Sequence, residues 1–227
     1  MTLMPFLTIP SFLPLSARAP SLGVTTRLVL LIGLVVLMIA PAALGQANTP
    51  ETGEDASAPE WIVQADRSAI TFTFEEQGRT VDGSLAYFDA VIAFDPSHLD
   101  LSQAEVSVPI AAIDANDRQR NEILRGPLWF DAVNYPEVTY SVTRFDLDDQ
   151  GTFFAYGDLM IRETRRPVTL TFELTLKGDT AQMVGQAQIS RKAFGLGTGE
   201  WADESLVGDQ VDIHVTMHAK RQAAPAS

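Results

Sequence analysis

The sequence predicts an all-β protein, an antiparallel sandwich or barrel with one short helix, set behind an export signal. Three observations carry this reading. From Ser68 onward, apolar and polar residues alternate with a period of two in short runs. Turn-forming clusters separate the runs: Gln77-Gly78-Arg79, Asp148-Asp149-Gln150-Gly151 and Lys177-Gly178-Asp179. Only Asp117 to Leu124 reads as a helix.

Before about Asn48 the chain carries only Arg18 and Arg27 as charges and no acid, whereas the remainder is rich in Asp and Glu. Arg27 precedes an unbroken apolar run from Leu28 to Ala40, and Ala43-Leu44-Gly45 or Gly45-Gln46-Ala47 supplies small residues at the −3 and −1 cleavage positions. Residues 1–47 therefore read as a signal peptide. The run is shorter than the roughly 20 apolar residues of a spanning helix and Pro41 interrupts it, which leaves an uncleaved anchor as the lesser alternative. Residues 48–60 are rich in Pro, Ser, Thr, Gly and acids and read as a flexible acidic linker; residues 61–221 form the folded domain and 222–227 a tail.

Within the domain, Ile70, Phe72 and Phe74 alternate with Thr71, Thr73 and Glu75 as a strand that turns at Gln77-Gly78. Val106, Val108 and Ile110 alternate next, with Pro109 marking an edge or a bulge because it has no ladder donor. Val138, Tyr140 and Val142 follow, and the run from Thr152 to Ile161 pairs back on them. Val168, Leu170, Phe172, Leu174 and Leu176 give one dry face against Thr169, Thr171, Glu173 and Thr175. Ala181 to Ile189 and a last strand carrying Val211, Ile213, Val215 and Met217 complete the series. Such one-sided alternation gives each sheet a single buried face. A lipid-facing barrel has the same alternation, but its strands need about 9 to 11 residues and aromatic girdles, whereas several runs here are shorter.

Composition excludes several classes of function. The net charge of −13, which falls further when a leader carrying only Arg18 and Arg27 is removed, leaves no basic patch for nucleic acid. The absence of cysteine removes disulfides, thiolate nucleophiles and sulfur-ligated zinc. His214 and His218 lie four residues apart on one strand, about 13 Å at about 3.3 Å per residue, too far to share a metal, and His98 is remote in sequence. No metal site is therefore assigned. Neither a serine elbow nor a Gly-rich phosphate loop is present, so no catalytic residue and no nucleotide cofactor is assigned.

What remains is the apolar interior. A barrel of about eight strands is either just filled by its own side chains or just wide enough for one small ligand. Phe72, Phe74, Phe94, Trp129, Phe130, Tyr140 and Phe172 together supply large, flat surface suited to a lipid chain.

Distributed motifs then bear on the family. Trp61 with Asp66 and Ser68 leads into the first alternating run, followed by Val81, Gly83 and Phe94-Asp95-Pro96. Ile113-Asp114, the segment Arg118 to Leu124, Trp129-Phe130-Asp131 and Tyr135-Pro136 come next. Gly157-Asp158-Leu159-Met160-Ile161, Arg166-Pro167-Val168, Arg191 with Phe194-Gly195, and Val207-Gly208-Asp209-Gln210-Val211 complete the set. In order and spacing these resemble the YceI family of lipid- and polyisoprenoid-binding proteins over nearly all of Trp61 to Lys220. Glu163 departs from a common turn glycine, and Asn121 from a common acid.

The resemblance implies a lipocalin-like antiparallel barrel enclosing a long apolar molecule, usually in the periplasm, and brings no catalytic residues with it. Its implied function is a periplasmic carrier of an isoprenoid, quinone-like or related lipid, with membrane proximity and a homodimer through edge strands left open. Candidate lining residues are Phe72, Phe74, Phe94, Leu124, Trp129, Phe130, Tyr140, Phe172 and Phe194. Arg191 is the candidate for a polar headgroup, set against the alternative of a structural ion pair with Asp131 or another acid. Two rivals stand beside the carrier. A scaffold recognising a protein on its outer face requires a filled interior, and an enzyme acting on a sequestered lipid requires a polar residue inside the barrel, for which Tyr156 or Asp158 is the only hint.

Overall fold

The computed structural model describes residues 57–223; the leader, most of the linker and the end of the tail lie outside them. Eleven strands run in chain order: β1 (Glu60–Val63), β2 (Ala69–Glu76), β3 (Arg79–Leu85), β4 (Asp89–Ala93), β5 (Gln103–Pro109), β6 (Ile113–Asp114), β7 (Glu137–Leu147), β8 (Phe153–Ile161), β9 (Thr164–Lys177), β10 (Thr180–Ser190) and β11 (Val207–Arg221). The helix α1 spans Arg118–Arg125.

These strands close into eight antiparallel staves. β11 pairs along one edge with β10, and along the other with β2 through Val211–Thr216 and with β1 through Ala219–Arg221. β1 and β2 are thus one stave broken by the 3-10 turn Ala65–Arg67. β3 and β4 form the next, pairing with β2 and β1, and β5 and β6 the one after, pairing with β4 and β3. β5 then pairs with β7, and β7, β8, β9 and β10 follow in sequence order to β11. The meander returns on itself, so closure satisfies ladder groups that an open sheet would leave free.

The kinks have local causes. At the first, Ser68 Oγ donates to Gln64 O at 2.8 Å and accepts from His218 N at 3.0 Å, replacing the interrupted ladder. At the third, Pro109 occupies neither an edge nor a bulge: it is the last residue of β5, in register with Glu137, where a missing N–H ends the strand. Ile110, read from sequence as a strand residue, instead sits in a buried 3-10 turn, its N–H donating to Pro136 O at 2.8 Å. The β2–β3 hairpin turns on Gln77 (φ 51°) and Gly78 (φ 73°), both left-handed as a two-residue loop of this kind requires.

After β6 the wall is completed by α1 and residues 126–136. Asp117 caps α1, its carboxylate accepting from Arg120 N at 2.8 Å, which is the signal that made the helix legible. Arg120 ties α1 to the end of β2, donating to Glu76 at 2.7 Å and to Ala115 O at 2.7 Å. On its inner face α1 presents Leu124.

Candidate functional site: an apolar tunnel through the barrel

Inward-facing side chains do not meet at the barrel axis. They leave a cavity of about 310 Å³ that reaches from Trp129, Leu196 and Val207 at one end to Trp61, Phe94 and Leu176 at the other. Along β11 it is lined from Val207 to Ala219; at about 3.3 Å per residue and a strand tilt of about 40°, that is a tunnel roughly 30 Å long. Among the described residues, Tyr140 and Arg191, with the indoles of Trp61 and Trp129, are the lining residues whose side chains carry nitrogen or oxygen.

Aromatic rings pack the end near β1. Phe94 meets Phe145 edge-on at 5.0 Å, Phe153 at 5.8 Å and Phe172 at 6.2 Å, and Phe153 stacks on Phe172 at 5.2 Å. Trp61 seals this end, its Nε1 donating to Phe94 O at 2.9 Å. Such edge-to-face clusters contribute about 0.5–1.5 kcal/mol per pair beyond area burial.

Loops build the opposite end. Between β10 and β11, the stretch from Arg191 to Leu206 crosses the barrel mouth, and Gly197 N and Thr198 N donate to Leu128 O at 2.8 and 3.1 Å. Arg191 organises this loop. It is 1% exposed, and all five of its N–H donors are spent on backbone carbonyls. Nε donates to Gly208 O (2.9 Å), Nη1 to Leu196 O and Gly197 O (2.9 and 3.0 Å), and Nη2 to Trp201 O and Val207 O (2.8 and 2.7 Å). Its guanidinium also lies 5.3 Å from the Trp129 ring. Burial pulls its pKa down from the ordinary arginine value, while the charges of Asp209 and Glu204 push it back up.

This geometry corrects two expectations for Arg191. Among the described residues it forms no ion pair, with Asp131 or any other acid, because carbonyl oxygens occupy the whole fork of donors. For the same reason it has no donor left for a headgroup. Asp131 sits elsewhere, at φ 50° in the turn after Trp129, accepting from Asn134 Nδ2 at 2.9 Å.

The structure brings together Phe72, Phe74, Phe94, Leu124, Trp129, Phe130, Tyr140 and Phe172 as lining residues. Phe194 is the exception. It belongs to the 3-10 turn Lys192–Phe194 beyond the end of β10, where strand parity no longer operates, and it is buried in the packed core beside the tunnel. Tyr140 keeps its polar end out of the lumen: its hydroxyl lies 2.8 Å from Ala155 O and 3.1 Å from Val168 O, so the ring alone faces inward. Sequence reading did not name the aliphatic residues of the middle, Val106, Leu170, Met183, Ile213 and Val215, as lining. Their strand parity is the signal that would find them.

Tyr156 and Asp158 alternate with the lining residues Ala155 and Leu159 and so face outward. Tyr156 lies under the Arg144 guanidinium at 4.2 Å, and Asp158 is 3.7 Å from Arg165. No cluster of potential metal ligands occurs among the described residues. His98 contacts Asp95 at 3.2 Å, and His214 pairs with Gln186 on the outer face.

The departures from the family pattern find local explanations. Asn121 Oδ1 accepts from Ala115 N at 2.7 Å while its Nδ2 donates to Asp114 at 2.9 Å, a double role that an ionised acid cannot fill. In the β8–β9 turn the left-handed residue is Arg162 (φ 56°), so Glu163 occupies a position open to any residue.

Comparison with known proteins agrees with this architecture. A UPF0312 protein of Vibrio cholerae is 23% identical over 176 residues, covering 72% of this chain and 93% of its own. Burkholderia cenocepacia BcnA superposes with a TM-score of 0.66 at 29% identity, over 70% of this chain and 100% of that one. A polyisoprenoid binding domain from Saccharophagus degradans shares the fold at a TM-score of 0.56 and 13% identity, over 73% and 99% of the two chains. The model of the YceI-like domain matches residues 61–219, which takes in every stave of the ring and stops two residues short of the end of β11. The chain belongs to the YceI-like domain family.

Proposed function

We propose that the protein is an exported carrier that holds the chain of a long apolar lipid, isoprenoid or quinone-like, within the barrel and shields it from water in the periplasm. The observation that supports this most is the tunnel itself, about 310 Å³ with an almost wholly apolar lining from one end of the barrel to the other. Its volume falls at the lower end of the roughly 300–1,000 Å³ range of small-molecule sites. A chain withdrawn from water into it gains about 25 cal/mol per Å² of apolar surface buried. The same tunnel counts against a filled scaffold, and the outward placement of Tyr156 and Asp158 removes the hint of chemistry on a bound lipid.

The leader supports the location, since a water-insoluble molecule passing between membranes needs a soluble enclosure. The binding named for the Saccharophagus degradans domain agrees with the choice of ligand class. The test is to purify the full chain from its own host, extract it with organic solvent and analyse the extract by mass spectrometry. A stoichiometric isoprenoid or related long-chain lipid is expected. An extract without one, together with failure of the stripped protein to take up added long-chain lipid, would overturn the reading.

A further inference from the structure

Two inward glycines lie beneath aromatic rings. On β3, Gly83 is the cross-strand partner of Phe72, and a Cβ placed on it would fall 2.2 Å from Phe72 Cζ and 2.5 Å from Cε2. On β8, a Cβ on Gly157 would fall 2.7 Å from Cε2 and Cζ of Tyr140 and 2.7 Å from the backbone oxygen of Ser141. Gly83 has the parity of the lining residue Leu85, and Gly157 that of Ala155 and Leu159, yet neither glycine reaches the lumen: the rings laid over them line it instead. Non-bonded carbon atoms settle at about 3.5–4.0 Å. A side chain at Gly83 would therefore drive the Phe72 ring from the wall toward the lumen by more than about 1 Å, and one at Gly157 would press on the Tyr140 ring by about 0.8 Å or more and equally on the Ser141 carbonyl.

Glycine in a strand weakens it, so two glycines at inward positions of a closed barrel call for a reason beyond pairing. The Tyr140 hydroxyl supplies the complementary restraint. Its contacts with Ala155 O and Val168 O pin the ring flat across β8 toward β9, over the space that Gly157 leaves.

We propose that Gly83 and Gly157 set the bore of the tunnel and thereby its selectivity: rings lying flat on these glycines leave room for a methyl-branched chain, and raised rings admit only a straight one. This rests on the carrier reading and adds the residues that decide which chain is carried. They act as positioning residues, through Phe72 and Tyr140.

The test compares hexadecanoic acid with its tetramethyl derivative, phytanic acid, each displacing anilinonaphthalene sulfonate from the stripped full chain. The two acids share a main chain and a carboxylate, and the extra apolar surface of the four methyl groups is the same for every variant, so a change in their affinity ratio between variants reports bore. Wild type is expected to take both. Gly83→Ala is expected to lose phytanic acid by about tenfold or more relative to hexadecanoic acid, the range set by overpacking a filled space. Combining it with Phe72→Leu should restore the wild-type ratio. Phe72→Leu alone, which leaves Gly83 untouched, should move the ratio toward phytanic acid and serves if Gly83→Ala does not fold. A ratio unmoved in both single variants, or an equal loss of both acids in a folded Gly83→Ala protein, would overturn the proposal. Wild type binding neither acid would instead overturn the carrier reading beneath it.

Discussion

Arg191→Met is the substitution whose outcome separates a structural arginine from a ligand-binding one. Methionine matches the length of the aliphatic stem and removes all five donors. The carbonyls of Leu196, Gly197, Trp201, Val207 and Gly208 then lose the partner that gathers them. Counted only at the net contribution of a neutral hydrogen bond, about 0.5–1.5 kcal/mol, the loss over five sums to roughly 3–7 kcal/mol. Two effects reduce it. Removing a buried cation with no carboxylate partner recovers desolvation, and the Trp201 and Gly208 carbonyls, whose residues are only half-buried, are open to partial rehydration. A net cost of about 3–5 kcal/mol follows.

For a domain of this size, about 2–4 °C of Tm corresponds to each kcal/mol. Arg191→Met should accordingly lower Tm by about 6–20 °C, and Arg191→Lys, with three donors on a compact head, should fall between. Hydrogen exchange localises the effect: amides of residues 192–206 should lose protection first, with the β10–β11 ladder following only on global unfolding. Thermal unfolding of purified variants is the assay. A Tm within about 2 °C of wild type would refute the carbonyl cage as the anchor of the mouth. Unchanged Tm with a large loss of lipid affinity would return Arg191 to the headgroup.

Two further substitutions test named contacts. Burial pushes the Tyr140 hydroxyl up to about 12, against about 10 in an unfolded chain. A raised pKa on this group means its stabilisation is complete below about pH 10 and is lost as pH climbs through about 12. Tyr140→Phe should remove that alkaline limb and cost about 0.5–1.5 kcal/mol at neutral pH, both read from urea melts against pH. Asp114 is held below the usual carboxylate value by hydrogen bonds from the Asn121 side chain and Asn116 N. Asn121→Asp replaces that donor with a second carboxylate; one acid of the pair is then raised, so the variant should be weakest at neutral pH and gain on wild type as pH falls. A Tm difference from wild type that does not narrow between pH 7.5 and about 4.5 would refute this, since carboxyls titrate near 4.

Strand parity made β2, β7, β9 and β11 legible, because each has one dry face and one wet face long enough to show a period. β1, β4 and β6 are four, five and two residues long, and their strandhood is decided by register on β11, β5 and β3 rather than by their own pattern. The cage around Arg191 was illegible for a different reason. Sequence displays side chains, so a buried arginine invites a search for an acid, whereas its partners here are five carbonyls gathered by a loop whose path no motif announces. Phe194 lies past the end of β10, in the 3-10 turn Lys192–Phe194, where no strand period tells which way a side chain points. The lumen itself was only half legible. An inward aromatic reads as core, and whether it fills the centre or lies against the wall depends on which residue faces it across the strand pair; Gly83 opposite Phe72 is a fact of register.

Polar lining residues are turned outward from the tunnel by the backbone of the wall. Trp61 donates to Phe94 O, the Tyr140 hydroxyl sits against Ala155 O and Val168 O, and Arg191 donates to its five carbonyls. The indole N–H of Trp129 is the buried side-chain donor left without a partner among the described residues. A lumen so arranged discriminates by volume and shape, because few hydrogen bonds remain to be won inside it. Each methylene enclosed is worth about 0.8 kcal/mol, nearly fourfold in affinity, until the chain reaches the aromatic cluster around Phe94 and further length has nowhere to go. The edge-to-face packing at that end therefore fixes the longest chain that is fully shielded, while the glycines beneath Phe72 and Tyr140 fix the widest. Length and width are set by different residues at different places along the barrel, so either can change without rebuilding the other.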